Sequence, residues 1–187
     1  LDARSGADRT YADWIHVFET ESKSATPLAS ERRNWRSQPT ISVVLPVYNT
    51  DERWLRRAIE SVLAQVYSRW ELCIADDASP APHIRPLLEK FAAQDPRIKI
   101  TFRSANGHIS AASNSALELA TGAYIALLDH DDELSPRALA RMVLEIARHP
   151  DAVFLYSDED KIDERGSRFD PYFKPDFLPD LLLGQNC

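Results

Sequence analysis

The sequence predicts an α/β fold: a mostly parallel sheet flanked by helices. Three observations lead there. Short apolar runs rich in β-branched residues alternate with stretches of helical apolar spacing from residue 40 onward. The chain has 187 residues, enough for one α/β domain with a buried core, and its apolar share of 44% is that of an ordinary globular protein. Several of the apolar runs stop abruptly at carboxylates.

Residues 1–38 are polar and irregular, and read as an arm ahead of a domain spanning 39–187. Within the arm, Tyr11, Trp14, Ile15 and Phe18 give a short amphipathic helix, and Arg32 to Trp35 the end of a second. The first strand is Ile41-Ser42-Val43-Val44-Leu45, closed by Pro46. Asp51 to Val66 is a helix whose apolar face runs through Trp54, Leu55, Ala58, Ile59, Val62, Leu63 and Val66. Glu71 to Ala75 is the second strand, ended by Asp76-Asp77; His83 to Ala93 is a helix and Arg97 to Phe102 the third strand. Ser110 to Ala120 is a small-residue helix with Gly122 at its C-terminus. Ala123 to Leu128 is the fourth strand. Ser135 as N-cap and Pro136 at the first helical position open a helix with Leu139, Met142, Val143, Ile146 and Ala147 inward. Ala152 to Tyr156 reads as a fifth strand.

In open parallel sheets, ligands bind beyond the carboxyl ends of the strands. There the sequence sets Pro46, Val47, Tyr48 and Asn49, then Asp76 and Asp77, then Asp129-His130-Asp131-Asp132, then Ser157-Asp158-Glu159-Asp160. Carboxylates gathered at one edge repel one another, and a divalent cation resolves the conflict. Hard oxygen donors suit Mg²⁺ or Mn²⁺, which bind one or two carboxylates plus substrate phosphates. Taken alone, Asp76-Asp77 reads as a turn cap, and Asp158-Glu159-Asp160 equally as a solvated acidic loop. The Asp129–Asp132 run, ending a buried strand directly, favours the metal. His130 has no zinc-like histidine partner and reads as solvent-facing or backbone-bonded.

Other classes are excluded. With 22 basic and 29 acidic side chains the net charge is −7, the wrong sign for nucleic acid. None of the five glycines builds a dinucleotide or Walker A loop, and no serine sits in a nucleophile elbow. Residues 47–52 are neither glycine-rich nor basic, against a sugar-phosphate nucleotidyltransferase. Cys73 and Cys187 give no disulfide framework, which suits a reducing compartment. No apolar run approaches the roughly 18 residues that cross a bilayer. A start at Leu1 without Met, and an apolar stretch stopping at Cys187, read as cuts from a longer chain.

Five segments in order resemble family-2 glycosyltransferases: Ile41 to Asn49, Ser61 to Gln65, Glu71 to Ser79, Asn106-Gly107 through Ala111-Ala112, Asn114 and Ala120-Thr121-Gly122, and Leu127 to Asp132. Tyr156 to Asp163 and Phe173-Lys174-Pro175-Asp176 are similar to bacterial members that build O-antigen or other cell-surface polysaccharides. The resemblance implies a GT-A fold and transfer of a sugar, with inversion, from a UDP- or dTDP-sugar to a glycan or lipid-linked glycan. It implies a cytoplasmic site or one peripheral at the inner membrane face. Pro46, Val47, Tyr48 and Asn49 would line the nucleoside pocket with Tyr48 near the base, and Asp77 would bond the pyrimidine edge. Asp129 and Asp131 would form the Asp-x-Asp pair. Asp131 would lead as metal ligand, with Asp132 as its alternative. Asp158, Glu159 and Asp160 would face the donor sugar or acceptor, and the general base would lie beyond Cys187. Ser113 stands where many relatives carry a basic residue, which leaves diphosphate or base contacts either to Arg103 or absent. The chain also reads as a module that holds nucleotide-sugar without turnover.

Overall fold

Ile41–Val47 is apolar at almost every position, and a strand of that composition is stable only with both faces covered. In the computed structural model, which describes residues 10–22, 38–178 and 180, this segment is β1 at the centre of a four-stranded parallel sheet. It pairs with β2 (Trp70–Asp76) on one side and β4 (Tyr124–Leu127) on the other, and β3 (Ile98–Phe102) lies beyond β2, giving the order β3-β2-β1-β4. Every residue of β1 and β2 is buried.

The helices between the strands are α2 (Glu52–Leu63), α3 (Ile84–Gln94), α4 (His108–Leu117) and α5 (Ala138–Arg148). From β1 to β2 to β3 the chain steps one way across the sheet, and from β3 to β4 it steps back. Right-handed crossovers then place α2 and α3 on one face and α4 on the other. On the α4 face Ala116 packs with Val44, Cys73 and Ala75, and Leu119 and Ala120 close over them. The small side chains let α4 lie close to the sheet. Strand alternation turns Val43, Leu45, Leu72 and Ile74 to the opposite face. The apolar stripes of α2 (Leu55, Ile59, Val62) and α3 (Leu87, Leu88, Phe91) supply the core there.

At the amino ends of the strands, Glu71 is buried and accepts from Ser42 Oγ at 2.6 Å, Thr121 N at 2.5 Å and Gly122 N at 3.2 Å, with Lys99 Nζ at 2.7 Å. One carboxylate thus ties β1, β2, β3 and the lead into β4. Burial alone would raise its pKa, but the bonds from Lys99, Ser42 and Thr121 outweigh burial and hold it at about 2.

Several expectations are corrected. Residues 152–158 form no strand; Val153 is 99% exposed, and an apolar run without a neighbouring ladder gains nothing from being extended. Gly122 does not end α4, which stops at Leu117. It is glycine because a Cβ there would lie 2.6 Å from Thr40 O and 2.7 Å from Ser42 Oγ. Ser135 does not cap α5: the helix follows Arg137 with no side-chain cap, and the Ser135 carbonyl accepts Ala138 N at 2.9 Å. Ala147 is exposed, and Val66 lies past the end of α2.

The chain divides into two units, Arg36–Pro150 and a second made of Leu1–Trp35 with Asp151–Cys187. In the second, α1 (Tyr11–Ser22) packs on an antiparallel hairpin of β5 (Glu159–Ile162) and β6 (Arg168–Tyr172). Thr10 and Asp13 cap α1 reciprocally: Thr10 N donates to Asp13 Oδ2 at 2.8 Å and Asp13 N to Thr10 Oγ1 at 3.3 Å. Tyr11 and Trp14 stack at 5.8 Å, and Phe173 meets Trp14 edge-on at 5.5 Å. The expected helix end at Arg32 to Trp35 lies outside the described residues.

Candidate donor-binding edge

The strand order reverses direction between β1 and β4, and open α/β sheets hold their ligands beyond the carboxyl ends of the strands at such a point. Pro46 marks this point. In a parallel strand each residue's N–H and C=O point to the same side, and the Val44 carbonyl accepts Leu128 N at 3.1 Å on the β4 side. Pro46 shares that side and has no N–H, so it stands where β4 has stopped pairing.

The chain carries backbone strain where it leaves the strands at this edge. Among the described residues four non-glycine residues have positive φ, and three of them follow β1, β2 and β3 in turn: Asn49 at 51°, Ala78 at 58° and His108 at 64°. The loops are also bound to one another. Asn49 N donates to Ser79 Oγ at 2.8 Å, and Ser79 N to Asp76 Oδ1 at 3.2 Å. Tyr48 is 46% exposed over this edge, whereas Val47 and Pro46 are buried beneath it.

Asp76 and Asp77 do not stand free. Asp77 is 1% exposed; its Oδ1 accepts Arg103 Nε at 2.7 Å, and both oxygens accept Gly107 N at 3.0 Å. Arg103 reaches on to Ala111 O at 3.0 Å and Ser115 Oγ at 2.5 Å, locking the loop after β3 and the start of α4 onto the end of β2. In the sequence, Arg103 stands out only as a substitute for the basic residue missing at Ser113. Its actual signal is the acidic pair ending the neighbouring strand.

Asp129 to Asp132 form a turn after β4, closed by Asp132 N to Asp129 O at 3.2 Å. Asp129, Asp131 and Asp132 are all exposed, and Asp131 Oδ1 lies 3.3 Å from His130 Nδ1. Among the described residues, the buried side-chain polar atoms without a hydrogen-bond partner are Thr50 Oγ1 and His130 Nδ1, both in loops at this edge. No group of three or more histidine, cysteine or acidic side chains is gathered as a ready cation cage among the described residues. The donor chemistry nonetheless fits a hard cation that takes one or two carboxylates and fills its sphere with phosphate oxygens and water.

The segment behind the turn is held from α2. Leu134 N donates to Ser61 Oγ at 3.1 Å, Gln65 Nε2 donates to Ser135 O at 2.7 Å, and Gln65 Oε1 accepts Leu139 N at 3.1 Å. Arg57 Nε pairs with Glu133 at 2.5 Å. Ser61 and Gln65 are buried polar residues, and these bonds are the physical content of the Ser61–Gln65 segment.

The remaining candidates lie in the second unit, each engaged there. Asp160 pairs with Arg168 and accepts Tyr11 Oη at 2.5 Å; burial, then that bond, pushes the Tyr11 hydroxyl up to about 12. Glu159 meets Lys174 Nζ at 2.9 Å, and Asp158 accepts Lys174 N at 2.8 Å.

An α/β sheet with this order and an acidic turn at its switch point is of the GT-A type of fold. Residues 42–185 match Glycosyl transferase family 2, and the chain belongs to that family. It is 58% identical over 154 residues to the uncharacterized protein y4gI of Sinorhizobium fredii, covering 82% of this chain and 17% of that protein. It is 38% identical over 172 residues to the O-antigen biosynthesis protein RfbC of Myxococcus xanthus, covering 92% and 13%. The chain therefore spans under a fifth of the length of these two relatives. Its fold is similar to that of the mannosyltransferase PcManGT of Pyrobaculum calidifontis, solved with GDP-Man and Mn²⁺, at a TM-score of 0.54 and 18% identity over 81% of this chain and 47% of that one. It is similar also to S. aureus TarS 1–349 with UDP-GlcNAc, at 0.55 and 24% over 59% and 32%.

Proposed function

We propose that this chain holds a nucleoside-diphosphate sugar across the carboxyl ends of β1, β2 and β4, with a divalent cation at Asp131 and Asp129. Asp132 is the alternative ligand. We propose that the protein transfers the sugar to a glycan or lipid-linked glycan in cell-surface polysaccharide synthesis. One observation carries the reading: the exposed Asp129–Asp132 turn stands at the point where the strand order reverses. Names of similar proteins that act in O-antigen and colanic acid biosynthesis support the product class.

The chemistry follows from charge. Cleaving a sugar–phosphate bond leaves a diphosphate with concentrated negative charge, and a Mg²⁺ or Mn²⁺ held by Asp131 and Asp129 would stabilise that charge. Pro46, Val47, Tyr48 and Asn49 would form the nucleoside side of the crevice, Tyr48 offering an exposed ring to the base. Inversion requires a single displacement, with a carboxylate taking the acceptor's proton. For sugar or acceptor contact we favour Asp158 and Glu159 over Asp160, whose carboxylate is committed to Arg168 and Tyr11. No described helix is long and apolar enough to cross a membrane. The reading places the reaction in the cytoplasm or at the inner face of its membrane.

A thermal-shift panel tests the reading. UDP, dTDP and GDP are each added with Mn²⁺, with Mg²⁺ and with EDTA. At least one diphosphate should raise Tm only when the metal is present, because a ligand that binds the native state alone stabilises it by mass action. A folded chain whose Tm no diphosphate moves in either metal contradicts the reading.

A further inference from the structure

We propose that Arg57 is a positioning residue for the cation site: it holds Glu133, and through it the Asp129–Asp132 turn, in place for the metal. The inference rests on the donor site proposed above. Arg57, Ser61 and Gln65 recur every four residues, so they share one side of α2 and of the turn that follows it. They meet consecutive residues behind the acidic turn in the same order. Arg57 Nε pairs with Glu133 Oε1 at 2.5 Å, Ser61 Oγ accepts Leu134 N at 3.1 Å, and Gln65 Nε2 donates to Ser135 O at 2.7 Å. Val66 N adds a bond to Pro136 O at 2.9 Å. The chain leaving the acidic turn is thus laid along α2 one residue at a time.

The first rung of this ladder differs from the others. Ser61 and Gln65 are buried and serve backbone groups, so their loss damages the fold itself. Arg57 and Glu133 keep 25% and 28% of their side-chain surface exposed, and ion pairs of that kind add little to stability. Their contribution is placement. Arg57 is itself steadied by Trp54, whose ring centroid lies 5.5 Å from its guanidinium. Glu133 directly follows Asp132, and with Asp129, Asp131 and Asp132 it puts four carboxylates within five residues. Left unpaired, Glu133 would be a further oxygen donor beside the turn, able to draw a hard cation away from the diphosphate. Paired to Arg57, it is withdrawn from the cation and fixes the exit of the turn.

Charge and position predict opposite signs for one substitution. As a charge alone, Arg57 repels the cation, and removing it tightens Mn²⁺. As a positioning residue, its removal weakens Mn²⁺. The test is calorimetric titration of Mn²⁺ at fixed UDP, dTDP or GDP, with thermal melts, on the wild type, Arg57→Gln, Glu133→Gln, the double variant and Glu133→Asp. Arg57→Gln should raise the half-saturating Mn²⁺ about tenfold, the scale usual for groups that orient metal ligands, while Tm moves by less than about 3 °C. Glu133→Gln should do the same. The double variant should be no worse than either single one, because both act through one pair. Glu133→Asp keeps the charge and shortens the reach; it should also weaken Mn²⁺, and it decides the matter if Arg57→Gln does not fold. Unchanged or tighter Mn²⁺ in a folded Arg57→Gln or Glu133→Asp overturns the proposal and leaves the donor site standing. So do losses that multiply in the double variant. A wild type that binds none of the three diphosphates in Mn²⁺ removes the donor site, and this inference with it.

Discussion

Glu71 and Gly122 show how much a single position decides in this sheet. The Glu71 carboxylate bonds groups from β1, β3 and the lead into β4, and its pKa is depressed from 4.5 to about 2. A depressed carboxylate stabilises the fold above its unfolded pKa, and that stability is lost as pH falls through the folded value. Denaturant titrations should therefore show stability dropping between about pH 4.5 and pH 2, by an amount of the order of 3 kcal/mol, and Glu71→Gln should flatten that part of the profile. Gly122→Ala would drive a Cβ against the Thr40 carbonyl, which is backbone and cannot swing aside, so a loss of about 1–3 kcal/mol is expected in the same titrations. Neither role was legible in sequence. Glu71 is one polar letter in an apolar run, and Gly122 after a helical stretch reads as a C-terminus; only the sheet's register brings Ser42, Glu71 and Gly122 together. Cys73 is the converse case. It stood inside an apolar run and is buried, and burial first, then the nearby Glu71 charge, pushes its thiol up to about 11. Peptide mapping after maleimide treatment at pH 8 should find Cys73 unmodified in the native protein and modified after unfolding.

At the scale of elements, what the sequence disclosed was periodicity, and what it withheld was partnership. The strands β1 to β4 and helices α2 to α5 fall where β-branched runs and apolar stripes placed them, within a few residues, because both faces of the sheet must be covered. The run at 152–156 has the same local composition and forms no strand, since pairing depends on an edge that composition does not describe. Likewise, Asp76-Asp77 and the Asp129–Asp132 run were equally visible as acidic ends. The structure separates them: the Asp77 carboxylate is buried against Arg103, and the Asp131 side chain is 62% exposed on a turn. The segment behind that turn is held from just past the C-terminal end of α2, where the Gln65 amide donates to Ser135 O and accepts Leu139 N. Gln65→Leu leaves both backbone groups without these partners. It should cost about 1–3 kcal/mol in urea unfolding and weaken metal-dependent nucleotide binding, although Gln65 itself touches no ligand in this account.

Across the whole molecule, burial is unequal. Every described buried apolar residue lies between Ile41 and Ile146, within the unit Arg36–Pro150. The second unit relies on the capping box of α1, the Tyr11–Trp14–Phe173 rings and the Asp160–Arg168 pair, with Phe154, Phe169 and Phe177 about half exposed. Segments with few buried apolar contacts open at lower free energy. Limited proteolysis should therefore cut within residues 151–178 before it cuts between β1 and α5; early cleavage inside β1 or β2 would contradict this ranking. That resistant stretch contains the switch point between β1 and β4, the strained segments and the acidic turn, so the proposed donor site can be tested on the chain directly. The measurement is calorimetric titration of UDP in Mn²⁺ and again in EDTA, on the wild type and on Asp131→Ala. Binding is expected in Mn²⁺, abolished by EDTA and weakened at least about tenfold by Asp131→Ala. UDP binding that survives both EDTA and Asp131→Ala unchanged would contradict a metal-held diphosphate at this turn.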